Sequence, residues 1–171
     1  MSGVHVSKIK IRQLTDNDVS AYRHIRLQML NNHPEAYADS YKETKRQGDD
    51  FFLHRINNGA IFAAFDKNEI VATTGFFVPK GEQLQHKSMI WGVYVKPEFR
   101  GQGISYDLLQ EILTHLPESI SLVQLCVVEG NEAAENTYVK AGFEPWGLEE
   151  KAICVDGRFY NEKHMVKFLG R

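Results

Sequence analysis

VYVKPEFRGQGIS, residues 93–105 of this 171-residue chain, joins three patterns in one short run. An apolar, β-branched stretch meets Pro97. An arginine and two glycines follow, and then an amphipathic helix begins. Ile104, Leu108, Ile112 and Leu116, with Leu109 and Leu113 beside them, recur at helical spacing until Pro117 stops the pattern. The backbone N–H groups that open a helix lack intrahelical partners, and the macrodipole adds positive potential there. Glycine lets such a backbone approach an anion without a Cβ in the way, so a phosphate or pyrophosphate is the natural ligand. The alternative is a plain strand-to-helix turn that uses Gly101 and Gly103 for conformation. Two nucleotide motifs do not fit. No G-x-x-x-x-G-K-[ST] string exists, and Tyr106 stands where a dinucleotide fingerprint needs its third glycine.

Working outward, KIKIRQL (residues 8–14) alternates as a first strand, and TDND (15–18) signals a helix start. A helix is expected over 19–30. A second, more polar helix is expected over 41–56, with Phe51, Phe52 and Ile56 buried. AIFAAFD and IVATTGFFVP, turning at KNE, read as an antiparallel hairpin. Residues 87–97 are apolar nearly throughout, as a strand covered on both faces should be. SLVQLCVV is a further strand, and NEAAENTYVKAG a further helix with Gly142 at its C-terminal cap. The last strands are joined by an Asp156-Gly157 hairpin signal. The order β-α-α-β-β-β-α-β-α-β-β predicts a mixed α/β sheet in one domain spanning residues 1–171.

A formal net charge of −2 gives no basic footprint, which argues against nucleic acid as a partner. Cys126 and Cys154 have no metal-type spacing. Both lie in apolar, strand-like runs, where a buried free thiol is the usual state. Cys126 as a nucleophile is the less favoured alternative. The seven histidines are scattered, so no metal site is expected. The N-terminus has no secretory h-region, and no run reaches membrane-spanning length, so the expectation is a cytoplasmic protein without a membrane partner.

Arg100-x-x-Gly103-x-Ser105 after GVYVKPEF resembles the [RQ]-x-x-G-x-[GA] acyl-CoA loop of the GCN5-related N-acetyltransferases. LCVVEGNEAAENTYVKAGF (125–143) is similar to that superfamily's following strand and helix, and IRQLTDNDVSAYRHIRLQMLNNHPEAYADS (11–40) to its first strand and helix. The resemblance covers residues 9–169 or so. It implies a single α/β domain: a mixed, mostly antiparallel sheet with splayed central strands, flanked by about four helices. It also implies acetyl transfer from acetyl-CoA to a primary amine by direct attack in a ternary complex, with a small-molecule amine favoured over a protein as acceptor. Homodimerisation is left open.

Residue by residue, the resemblance lays the acetyl-CoA pyrophosphate on the backbone amides of Arg100, Gly101, Gln102, Gly103, Ile104 and Ser105. Val93, Tyr94 and Val95 lie along the pantetheine arm, where the backbone of Val93 and Val95 pairs with the arm and polarises the thioester carbonyl. Asn131 matches an asparagine that contacts the same arm, and it reads equally as an N-cap. Tyr138 matches the tyrosine that protonates the departing thiolate, against a core aromatic as the alternative. Ser105 departs from the usual Gly or Ala, remaining small while adding a hydroxyl. No acidic residue stands in SMIWGVYV, where the family's base is commonly found. Glu129, His86 and Glu82 are the nearest by sequence, each reading also as a solvated surface residue. Two further alternatives are a CoA-binding regulatory or scaffold protein of the same fold and a nucleotide-binding module built on the same loop. The aromatic residues Phe76, Phe77, Trp91, Tyr94, Trp146, Phe159 and Tyr160 divide between core and acceptor-pocket rim in a way the sequence does not sort.

Overall fold

The computed structural model describes residues 8–170. Residues 1–7, part of the N-terminus read as leaderless, and residue 171, the end of the expected 1–171 domain, lie outside the described residues. Seven strands form one sheet in the order β1-β2-β3-β4-β5-β7-β6. They are β1 (Lys10–Gln13), β2 (Ala60–Asp66), β3 (Glu69–Phe77), β4 (Lys87–Val95), β5 (Leu122–Val128), β6 (Glu144–Val155) and β7 (Arg158–Phe168). Every pairing is antiparallel except β4–β5. Five helices flank them: α1 (Val19–Asn32), α2 (Tyr41–Lys45), α3 (Asp49–Asn58), α4 (Ile104–His115) and α5 (Glu132–Lys140). The mixed, mostly antiparallel α/β fold expected from the sequence is thus the fold observed.

The two faces of the sheet hold separate cores. One packs Tyr22, Ile25, Met29 and Leu30 of α1 and Phe52 and Ile56 of α3 against Ile61, Ala63 and Phe65 of β2. The other packs Ile104, Leu108, Leu109 and Ile112 of α4 and Tyr138 of α5 against Ile90, Val123, Leu125, Val127 and Met165. The α4 stripe is the one read from the sequence. Full burial of each Leu or Ile contributes about 1.5–3 kcal/mol, which fixes α4 to the sheet and its N-terminus beside the end of β4.

Three expectations need correction. The single helix over 41–56 is two, α2 and α3. Ser40 caps the first by accepting the N–H of Glu43, and Gly48, in extended conformation, interrupts the chain before the second. β4 is not covered throughout, since Met89, Trp91, Gly92, Val93 and Val95 are only half-buried. Of the two cysteines, neither is buried: Cys126 is half-buried, and Cys154 is exposed because it alternates outward from buried Ile153 on the edge strand β6.

Candidate active site

β4 and β5 pair in parallel only at Lys87↔Leu122, Ser88↔Val123 and Met89↔Gln124. Beyond that point they diverge, and the residues from Ile90 to Val95 and from Leu125 to Val128 line a cleft of about 760 Å³. The splay expected from the resemblance is present, and the volume lies within the range of cofactor pockets, roughly 300–1,000 Å³.

A bulge on the other edge of β4 shapes this cleft. Gly75 pairs with Trp91 and Thr73 with Tyr94, so Thr74 alone faces both Gly92 and Val93. Gly92 takes φ +65°, and a Cβ there would stand 3.1 Å from Nη1 of Arg26. Past the bulge, the Lys96 N–H donates to the Val71 carbonyl at 2.9 Å. Strand alternation therefore turns the N–H and C=O of Val95 to the opposite edge, into the splay. The Val95 carbonyl accepts from Nε of Arg100 at 3.0 Å, and the Val93 carbonyl from the Tyr37 hydroxyl at 2.9 Å.

The loop that follows leads into α4. Gly103 is its N-cap at φ +80°, ψ +4°, with no side-chain cap, and Gly101 also has positive φ. The first helical bond runs from the Asp107 N–H to the Gly103 carbonyl, so the N–H groups of Ile104, Ser105 and Tyr106 have no intrahelical partner. A Cβ at Gly101 or Gly103 would meet nothing within 4 Å, leaving the approach to those donors open. By contrast, α5 is capped from within, Asn131 Oδ1 accepting the Ala134 N–H at 3.3 Å. Asn131 lines the cleft at the same time, so its two readings coincide.

The cleft brings together Val93, Tyr94, Val95, Arg100, Gly101, Gly103, Ile104, Ser105, Asn131 and Tyr138. Gln102 is exposed and is not part of the wall. Tyr138 is 5% exposed, edge-on to Phe143, and its hydroxyl has no hydrogen-bond partner among the described residues. Burial pushes its phenol well above the usual tyrosine range. Tyr94 packs its ring into the α1 core, its hydroxyl accepting from Asn32 at 3.3 Å. Of the three base candidates, Glu129 alone lines the cleft, accepting from Nδ2 of Asn161 at 3.0 Å. His86 and Glu82 lie before the start of β4, at the end where it pairs with β5, whereas the cleft opens at its other end.

A second wall was not anticipated. The turn at Pro34–Ala36, with His33 and Tyr37 on either side, closes over the cleft from the end of α1. Arg100 Nη2 lies 3.0 Å from His33 Nε2; a guanidinium only donates, so Nε2 accepts and Nδ1 carries the proton toward Glu35 at 3.4 Å. Burial, and secondarily the neighbouring Tyr138, pushes the Tyr37 phenol well above its usual range. Arg26 and Arg55 meet on Asp39 at 2.6 and 2.9 Å, and both lie over the Trp91 ring. Burial alone would raise the Asp39 carboxyl, but the two guanidiniums outweigh it and hold it below the usual range. In sequence, the only trace of this wall is the polar, aromatic run NHPEAY, which reads simply as a helix end. Of the aromatic residues, Trp91, Tyr94 and Tyr160 line the cleft and Phe76 is core, while Phe77, Trp146 and Phe159 are exposed.

Comparison with known proteins agrees with this geometry. The chain is 26% identical over 136 residues to the Bacillus subtilis (strain 168) protein named "Putative phosphinothricin acetyltransferase YwnH", across 78% of this chain and 81% of that one. The fold is similar to the solved acetyltransferase of the GNAT family from Streptococcus pneumoniae, with TM-score 0.84 and 18% identity over 95% of this chain and all of that one. It is also similar to yncA from Salmonella typhimurium, solved with its cofactor acetyl-CoA, with TM-score 0.80 and 15% identity over 95% of each chain. The sequence model of the acetyltransferase (GNAT) family matches residues 21–143, most of the chain and both walls of the cleft. By that match, this chain belongs to the GNAT family of acetyltransferases.

Proposed function

We propose that this protein transfers an acetyl group from acetyl-CoA to the primary amine of a small molecule, by direct attack within a ternary complex. The observation that carries the reading is the splay of β4 from β5, a cleft lined both by the residues at the uncapped N-terminus of α4 and by Tyr138. The residues present suit acetyl-CoA. Unpaired N–H groups at Ile104, Ser105 and Tyr106 suit a pyrophosphate, with the Ser105 hydroxyl beside them. The exposed edge of β4 suits an amide-bearing arm and places N–H donors where an oxyanion would develop. When bound, the thioester supplies an activated acyl carbon. Tyr138, kept protonated by burial, donates its phenolic proton to the leaving sulfur. Glu35 and Glu129 line the acceptor side and offer carboxylates to the proton lost by the amine, directly or through water.

A small acceptor is supported by the enclosing turn at Pro34–Ala36 and by the substrate in the name of the Bacillus subtilis relative. Steady-state kinetics with acetyl-CoA varied against a panel of small amines tests the reading. Intersecting double-reciprocal lines are expected. Binding of acetyl-CoA with no turnover on any amine would leave only a CoA-binding regulatory role, and parallel lines would refute direct attack.

A further inference from the structure

Cys126 is a cleft residue that the proposed transfer leaves without a task, and it has a partner in line behind it. On β5, Leu125 and Val127 point into the core shared with α4 and α5, so Cys126 points out of the opposite face. Its register partner on β7 is His164, whose Nδ1 lies 3.3 Å from Sγ. Nε2 of the same ring lies 3.1 Å from Oε2 of Glu149 on β6. A carboxylate only accepts, so the neutral ring carries its proton on Nε2 and presents the Nδ1 lone pair to the thiol. Trp146 packs against the ring edge at 5.4 Å. Nucleophile, base and orienting carboxylate therefore stand in line across three adjacent strands, and the nucleophile belongs to a residue that lines the cleft.

We propose that the Cys126 thiol is a second acyl acceptor of this cleft and is S-acylated by an acyl-CoA thioester when no amine is present. The inference rests on the reading of the cleft as an acyl-CoA site. Sγ bonds to the acyl carbon while the bond from that carbon to the CoA sulfur breaks. The thiol proton passes to Nδ1 of His164 and from there to the departing thiolate, so CoA leaves as its thiol and nothing is oxidised or reduced. Glu149 is a positioning residue that holds the ring and balances the imidazolium. Burial, with Glu162 and Glu149 adding repulsion, pushes the thiol up to about 11. Cys126 is therefore neutral at rest, its proton has to move during attack, and the reaction depends on His164 rather than on a standing thiolate.

Cys154 supplies an internal control, being exposed and without a histidine hydrogen bond among the described residues. The full chain is incubated with acetyl-CoA and no amine. Intact mass and peptide mapping are then read alongside calorimetric binding of acetyl-CoA to the same sample. The expected result is a single acetyl adduct on Cys126, released by neutral hydroxylamine and absent in Cys126→Ala. It should form about a hundredfold more slowly in His164→Gln, the low end of what a positioned base contributes, and at an intermediate rate in Glu149→Gln. Adduct on Cys154 at an equal or greater rate, an unchanged rate in His164→Gln, or acetyl-CoA binding without any adduct would overturn the proposal. Absence of acetyl-CoA binding would instead overturn the reading of the cleft on which it rests.

Discussion

Tyr138→Phe separates the two roles open to this residue, because they predict different effects on turnover. The ring is 5% exposed and lies 6.4 Å from Phe143 in an edge-on contact, all of which phenylalanine keeps. The hydroxyl has no protein hydrogen-bond partner among the described residues. Its removal therefore leaves no orphaned protein donor or acceptor behind, and because Tyr138 lines the open cleft, little stability is gained or lost with it. The variant should melt close to the wild-type temperature. As an acid for the leaving sulfur, however, the hydroxyl contributes in the transition state. General acids are worth about 10²–10⁴ in rate, and a thiolate is a good leaving group, so the expected fall in kcat is about a hundredfold. Acetyl-CoA affinity should change by less than about tenfold, the net worth of one hydrogen bond. Burial raises the phenol far above neutrality, so Tyr138 remains protonated and contributes no alkaline limb to the wild-type kcat profile below about pH 10. Steady-state turnover of one amine acceptor, with thermal melting of the same preparation, measures both. An unchanged kcat in a fully folded variant refutes the catalytic role and leaves Tyr138 as a core aromatic.

Two other perturbations test the frame around the site. Gly92→Ala places a side chain at φ +65° and drives its Cβ toward Arg26, which Asp39 holds at 2.6 Å; a loss of about 1–2 kcal/mol is expected from the backbone alone. A fall in the urea midpoint together with weaker acetyl-CoA binding checks this, and a wild-type midpoint would show that the bulge does not require glycine. Asp18, hydrogen-bonded by Arg12 and by the N–H of Thr15, is lowered from 3.8 to about 2. Its contribution is therefore present above about pH 4 and is lost as pH falls toward 2, so the urea midpoint of Asp18→Asn should depend less on pH across that window than the wild type's.

The proposed cofactor side of the cleft was legible in sequence because its residues are local. Arg100, Gly101, Gly103 and Ser105 are near neighbours, and the α4 stripe behind them has a period that burial enforces. Asn131 and Tyr138 sit at fixed positions on one short helix. The proposed acceptor side was not legible, since tertiary contacts assemble it from segments far apart in sequence. Tyr37 reaches Val93 across 56 residues, and Cys126 reaches His164 across 38. No periodicity connects such pairs; the register of β5 with β7 does, and that register is settled by burial of Leu125 and Met165 rather than by anything visible at Cys126. Gly92 was a local signal passed over. A glycine inside an otherwise apolar strand marks a bulge or a close approach, and here it marks both. The break between α2 and α3 was similarly signalled by Gly48, but a continuous spacing of Phe51, Phe52 and Ile56 from Tyr41 concealed it.

The bulge and the two side chains around it together decide what the open edge of β4 can bind. An unpaired strand edge normally offers alternating donors and acceptors, and would accept another strand as readily as a ligand. Here the carbonyls that face outward at Val93 and Val95 each already have a side-chain donor, Tyr37 and Arg100. One of these donors follows the Pro34–Ala36 turn and the other belongs to the loop before α4, and Arg100 also reaches His33, joining the two. Each carbonyl keeps one lone pair beside its side-chain donor, so the edge offers its N–H groups fully and its carbonyls in part, which favours a ligand amide over a full competing strand. The same contacts link the β4 edge, where the proposed oxyanion donors lie, to both neighbouring walls. In the proposed transfer, a ligand at the α4 N-terminus and one beneath the Pro34–Ala36 turn would therefore share Arg100 as a common neighbour.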